Sequence, residues 1–194
     1  MLYLIKKLWF LILLLVISSV AFIGNFTQWP LFWFWEQYFL FAWSVIAIGV
    51  VFHFVGNALP RKFSWEKHPF ASFSWENRGR FYQQKLHVNA WKDKMIDMSK
   101  ATSSVSDKVA SHDMPSKEIA SIIQELCVAE VTHWFIIVVS PALLFIMHFG
   151  VMAWPLWAVY VLTNLMDIVI QRYNRPRFVS LYEHALHREE RRAS

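Results

Sequence analysis

Residues 119–137, IASIIQELCVAEVTHWFII, decide how the chain is read. Advanced at 100° per residue, Ile119, Ile122, Ile123, Leu126, Glu130, His133 and Ile137 fall within one stripe, while Lys117, Ser121, Gln124 and Thr132 fall on the opposite side. Glu130 and His133 therefore sit on the apolar face. Three residues apart, they are neighbours on a helix, at the point where the apolar run from Trp134 to Phe149 reads as entering a membrane. Ionisable groups at such a depth are costly, which makes a functional pair the first reading and a buried structural Glu-His hydrogen bond the alternative.

Working outward, composition agrees with a membrane setting. Of 194 residues, 56% are hydrophobic and only 17% charged, too apolar for an ordinary soluble domain. Eleven Trp and seventeen Phe suit a surface in contact with lipid and its interface. The single cysteine, Cys127, excludes an internal disulfide and a Cys-based metal cluster.

All 19 Lys and Arg lie in three blocks, Lys6 to Lys7, Arg61 to Lys117 and Arg172 to Arg192. The positive-inside rule places all three blocks in the cytoplasm, with an even number of crossings between them. The expected fold is an all-α integral membrane protein, one membrane domain over residues 1–194. Its four transmembrane helices lie at about 8–24, 31–59, 134–149 and 154–171, with a cytoplasmic insert at 60–132 and a cytoplasmic tail at 172–194. A cleaved signal peptide is disfavoured for the first run, which exceeds a signal core and lacks a convincing small-x-small site. Residues 25–30 form the first outer turn and 148–155 the second. Trp29, Trp33, Trp35 and Tyr38 make an outer aromatic belt in which Glu36 reaches headgroup water.

The insert is aromatic as well as charged. Phe63-Ser64-Trp65-Glu66 recurs as Phe73-Ser74-Trp75-Glu76, read as paired interfacial anchors whose rings dip into headgroups while the charges stay wet. Phe81, Val88, Trp91 and Met95 share a helical face, which predicts an amphipathic helix. Residues 99–113 lack an apolar period and read as a linker. Asp113 and Pro115 give a helix start, and Pro141 a kink further along the same helix. On the last span Tyr160, Asn164, Asp167, Gln171 and Asn174 form a polar ladder, which faces protein or water and not lipid. In Gln171-Arg172-Tyr173-Asn174-Arg175-Pro176-Arg177, Pro176 disfavours helix at Arg175 and predicts a turn that gathers three guanidiniums.

Four parts thus converge on the cytoplasmic mouth: the Glu130/His133 pair, Asp167 and its ladder, the Arg172 to Arg177 cluster, and the Trp91-Lys92-Asp93-Lys94 segment. A His beside a carboxylate can take a proton from an alcohol and return it to a leaving group, as acyl transfer to a hydroxyl requires. Arg clusters bind phosphate bidentately, although basic residues just inside a membrane helix are also expected from topology alone. Glu-x-x-His also occurs in di-iron bundles, but no second copy is present, so metal ranks below acid/base chemistry. No nucleophile elbow, phosphate-binding Gly loop, dinucleotide fingerprint or His-x4-Asp acyltransferase motif occurs. Cys127 lies 240° around the helix from His133, against a Cys-His nucleophile. His53, His68, His112, His148, His184 and His187 read as interfacial or structural.

At these residues the chain resembles the glycosyl-4,4'-diaponeurosporenoate acyltransferases, small membrane enzymes that put a fatty acyl chain on the sugar of a carotenoid glycoside. Three blocks carry the likeness: Trp75-Glu76 through Gly79, Tyr82, Val88 and Trp91-Lys92 to Asp97; Ala129-Glu130-x-x-His133-Trp134; and Gln171 through Arg177. Where many members have Leu-Pro-Asp after the Trp-Lys, this chain has Met95-Ile96-Asp97.

The resemblance implies an acyltransferase; with the charge topology above, the expectation is a multi-pass cell-membrane enzyme with both termini and the active site cytoplasmic. The expected co-substrate is an acyl-CoA or acyl-carrier thioester, with no cofactor or metal, a glycolipid or carotenoid-glycoside acceptor, the bilayer as partner and no nucleic acid. His133 is then the expected general base and Glu130 its partner. Arg172, Asn174, Arg175, Arg177, Lys92, Trp91, Asp167, Tyr82 and Glu76 make the expected substrate-binding set. A non-catalytic membrane subunit with a structural polar network, or a metal-dependent lipid-modifying enzyme, is the alternative.

Overall fold

A computed structural model describes residues 32–92, 114–148 and 153–193, with side chains from residue 36 onward. The expected first span, the turn at 25–30, the linker at 99–113, and Asp93 to Asp97 lie outside the described residues, as do Asp113 and the side chains of Trp33 and Trp35. The described chain is helical: α1 (Phe32–Ala58), α2 (Arg80–Leu86), α3 (Val88–Trp91), α4 (Ser116–Val139), α5 (Ala142–Ile146) and α6 (Ala153–Ala193), with a 3-10 turn at Ser74–Glu76 before α2. Three stretches, Glu36–Ala58, Ser116–Ile146 and Ala153–Ala193, are long and apolar enough to cross a membrane.

Two compact units divide the chain, 1–55 with 135–164 and 56–134 with 165–194. In the first, Leu144, Met147 and Ala153 are buried beneath Phe41, Leu156 and Trp157, and Phe52 stacks on Phe135. Large apolar side chains nevertheless point outward, with Val138 72%, Phe145 68% and Phe54 67% exposed. Contiguous apolar exposure of this kind is stable in hydrocarbon and costly in water, as expected of spanning helices. Pro141 has no amide to continue the helix, and α4 ends at Val139 just before it. The Ser140 hydroxyl bonds back to the Ile137 carbonyl at 2.8 Å and accepts the Trp157 indole N–H at 2.9 Å, so the polar groups at this break are satisfied.

The second unit has two apolar centres. Met114, Ile119, Ile123 and Ala185 pack with Trp65, Phe178 and Tyr182, and Tyr82, Val88 and Tyr173 pack with Phe81, Trp91 and Val169. Ser116, the first residue of α4, gives its amide and hydroxyl to the Glu189 carboxylate at 2.8 and 2.7 Å, a carboxylate cap where the helix dipole favours one.

Several sequence expectations are corrected here. Gln124, read as lying on the polar side of its helix, is buried and clamps the Phe63 backbone, accepting from its amide at 2.8 Å and donating to its carbonyl at 2.9 Å. The two Phe-Ser-Trp-Glu copies are not equivalent anchors, because Trp65 packs in the first centre while Glu76 is 1% exposed and paired. The amphipathic helix is interrupted at His87, whose φ of +48° separates α2 from α3. Pro176 does not turn the chain. Helix α6 runs through it, so the last span and the tail are one helix. A proline removes one helical hydrogen bond, and here Arg172 and Arg175 before it and Phe178, Val179 and Tyr182 after it are each held by tertiary contacts.

Candidate active site

The centre of the second unit is built from three pieces of chain. On α4 the apolar stripe that buries Ile119 and Ile123 carries on to Glu130, 3% exposed. On α6 Arg172 and Arg175 are three residues apart and so project to the same side. The segment from Pro69 to Glu76 supplies main-chain carbonyls and the Glu76 carboxylate.

Arg172 joins the two acids. Its Nε donates to Glu76 Oε1 at 2.5 Å and its Nη2 to Glu76 Oε2 at 3.1 Å, while its Nη1 donates to Glu130 Oε1 at 2.8 Å. The carbonyls of Pro69 and Ala71 accept its two other N–H groups at 3.1 and 3.4 Å. All five guanidinium donors are thereby used within the protein. Glu130 Oε2 accepts from Arg175 Nη2, and Arg175 Nη1 donates to the Phe70 carbonyl at 2.5 Å. Two buried anions are balanced by two cations, the buried Arg175 and the half-buried Arg172, the condition under which such charges are tolerated away from water.

Around Glu76 the pairing is tighter still. The Tyr82 hydroxyl donates to its Oε1 and the Phe73 amide to its Oε2 at 2.7 Å. Burial alone raises the Glu76 pKa, yet the hydrogen bonds from Arg172, Tyr82 and Phe73, with the Arg172 charge, hold it below the usual carboxylate value. Burial and the bond to Glu76 push the Tyr82 phenol up, so it remains a donor at any physiological pH.

His133 and Asp167 sit beside this network as its more accessible part. His133 Nδ1 lies 3.8 Å from Asp167 Oδ2, and the side chains are 23% and 25% exposed. That separation is an ion-pair distance beyond a hydrogen bond. Glu130 gives its oxygens to the guanidiniums, and the carboxylate placed against His133 is Asp167.

Trp91, Lys92 and Arg177 of the expected set gather around Tyr173 instead. The Tyr173 hydroxyl contacts Asn89 Oδ1 at 2.7 Å and Gln83 Oε1 at 3.2 Å. Lys92 Nζ lies 5.5 Å and Arg177 Cζ 3.8 Å from its ring centroid. The Trp91 indole donates to the Leu86 carbonyl at 2.8 Å. Asn174 is half-buried on α6. Arg177 therefore parts company with Arg172 and Arg175, because the helix continuing through Pro176 puts it on another side. Among the described residues no three metal-ligating side chains gather in one place.

Sequence reasoning missed Ser72, Arg78 and Arg80. Ser72, Arg78 and Arg175 share the lining of a cavity of about 340 Å³ with Trp65 and Glu66. Both the Ser72 hydroxyl oxygen and Arg175 Nε are buried without a hydrogen-bond partner among the described residues. Only the left-handed turn at Asn77, Arg78 and Gly79 (φ 47°, 52° and 86°) hints at such a site, and that is a backbone property that residue types do not spell out.

Comparison with known proteins gives the same family as the motif blocks. The family model for glycosyl-4,4'-diaponeurosporenoate acyltransferase matches residues 66–184. The protein of that name from Staphylococcus aureus strain MRSA252 is 29% identical over 150 residues, covering 77% of this chain and 88% of the relative. Its counterpart from strain N315 is 27% identical over the same length. No solved structure matches the chain.

Proposed function

The chain belongs to the glycosyl-4,4'-diaponeurosporenoate acyltransferase family, and from that premise we propose that it transfers a fatty acyl group from a thioester to a sugar hydroxyl of a membrane-embedded carotenoid glycoside. The observation that carries the reading is the partly exposed His133–Asp167 pair beside a buried, charge-balanced network. A general base needs access to substrate and an orienting carboxylate, and of the histidines in the matched blocks His133 has both.

In this reading His133 takes the proton of the acceptor hydroxyl as its oxygen attacks the thioester carbonyl. The tetrahedral oxyanion then collapses, the C–S bond breaks, and the imidazolium returns its proton to the leaving sulfur. Asp167 orients the ring through Nδ1 and stabilises its charged form, closing from its resting distance as substrate binds. Glu130 takes a different part from that first expected of it. Held between Arg172 and Arg175, it fixes the position of α4 against α6 at the turn of helix that bears His133. The positive-inside pattern of the basic blocks supports a cytoplasmic location for this site in a cell-membrane protein.

Mass spectrometry of lipids from carotenoid-glycoside-producing cells with and without the chain tests the reaction. We expect an acylated glycoside only with the chain; identical lipid profiles remove the proposal.

A further inference from the structure

Beside the network, an open cavity of about 410 Å³ is lined by Arg78, Gly79, Arg80, Gln83, Gln84 and Arg177. Three of these six residues are guanidinium-bearing and none is a carboxylate, whereas Arg172 and Arg175 are both neutralised by acids. Like charges around one concavity repel one another, and an anion relieves that repulsion.

The cavity is also built. The Tyr173 hydroxyl, which has one proton to give, lies 2.7 Å from Asn89 Oδ1 and 3.2 Å from Gln83 Oε1, a contact that sets the Gln83 amide at the cavity wall. Arg177 is stacked on the Tyr173 ring at 3.8 Å, so its planar fork is held in place before a ligand arrives. Three consecutive left-handed residues present Arg78 and Arg80, and Gly79 lies so close to helix α6 that an added Cβ would sit 3.1 Å from the Tyr173 carbonyl oxygen. One residue, Tyr173, thus positions elements on both sides of the cavity.

We infer that this cavity binds a phosphate-bearing group, with Arg78, Arg80 and Arg177 as its charge partners and Gln83 as a neutral donor. Bidentate guanidinium contacts suit phosphate oxygens and discriminate against neutral sugars. Two sources present that chemistry, a soluble phosphorylated acyl thioester and the headgroup of a phospholipid. Linking either to acyl donation rests on the acyltransferase reading; the anion site itself does not.

The test is binding, measured without turnover on the full chain. In phosphatidylcholine nanodiscs the protein is titrated with inorganic pyrophosphate, and in mixed vesicles its enrichment of phosphatidylglycerol over phosphatidylcholine is measured. The variants are R78Q/R80Q/R177Q, R78Q/R80Q, which leaves the Tyr173 stack intact, and the charge-matched surface control K62Q/K67Q/R192Q. We expect salt-sensitive binding by the native chain and the control, weakened at least about tenfold in the triple variant with the unfolding midpoint of the double variant unchanged. Loss in the pyrophosphate arm identifies a soluble phosphorylated donor, and loss confined to the phosphatidylglycerol arm identifies a lipid headgroup. Equal behaviour of the triple variant and the control in both arms overturns the site, whatever the outcome for acyl transfer.

Discussion

Arg172 Nη1 donates to Glu130 Oε1 at 2.8 Å, joining positions 42 residues apart in sequence. Neither residue has spare charge. Arg172 is shared with Glu76, and Glu130 with Arg175, so the four form a chain of alternating sign in which every link depends on the next.

Replacing Glu130 with Gln keeps its shape and deletes its charge, leaving two guanidiniums buried with one acid between them. We expect a loss of about 3–5 kcal/mol, read as a lowered unfolding midpoint in detergent. Adding Arg175→Gln to that variant should cost less than the sum of the separate losses, since it removes a cation already orphaned. Strict additivity would show that the links are independent.

Acid should dissolve the same chain of charges. The Glu76 carboxyl is held below its ordinary pKa in the fold, so its contribution is fully present above the unfolded-state value. It is lost as pH falls through the folded one. Unfolding midpoints measured from pH 7 downward should fall through the acid range, and the slope should flatten in Glu76→Gln. An unchanged slope in that variant places the acid sensitivity elsewhere.

Gly79→Ala should be costly for two separate reasons. An L residue at φ +86° loses about 1–2 kcal/mol, and its Cβ must also displace the Tyr173 carbonyl region of α6. Gly49→Ala, with open space around it, serves as the control and should stabilise α1 slightly. Thermal unfolding of the two variants side by side gives the comparison.

Part of this site is legible in the sequence because helical periodicity is local. The stripe that places Glu130 on a buried face with His133 close by at its partly exposed margin, and the three-residue spacing of Arg172 and Arg175, follow from 100° per residue. That Glu76 meets Arg172 across 96 residues does not, since nothing nearby in sequence names its partner. Gln124 illustrates the opposite failure: its position on the polar side was right, but the Phe63 backbone folds over that side and buries it. Pro176 misleads because its local preference to end a helix is outweighed by contacts on both flanks. At Pro141 the local preference prevails, and α4 ends at Val139 just before it.

Asp167→Asn preserves the size of the side chain opposite His133 and removes its charge. We expect kcat to fall by about 10- to 100-fold with little change in KM, less than the loss of the base itself, because Asp167 acts through the imidazole. A stability loss without a kinetic one would make the pair structural.

The most direct measurement is acyl transfer by purified His133→Ala, with the unfolding midpoint followed in parallel. We expect turnover to fall on the order of 100- to 10,000-fold while the midpoint holds, because the charged core through Glu130, Arg172 and Arg175 stays intact. Native-like turnover, or a collapse of the midpoint that accounts for the lost activity, would contradict His133 as the base.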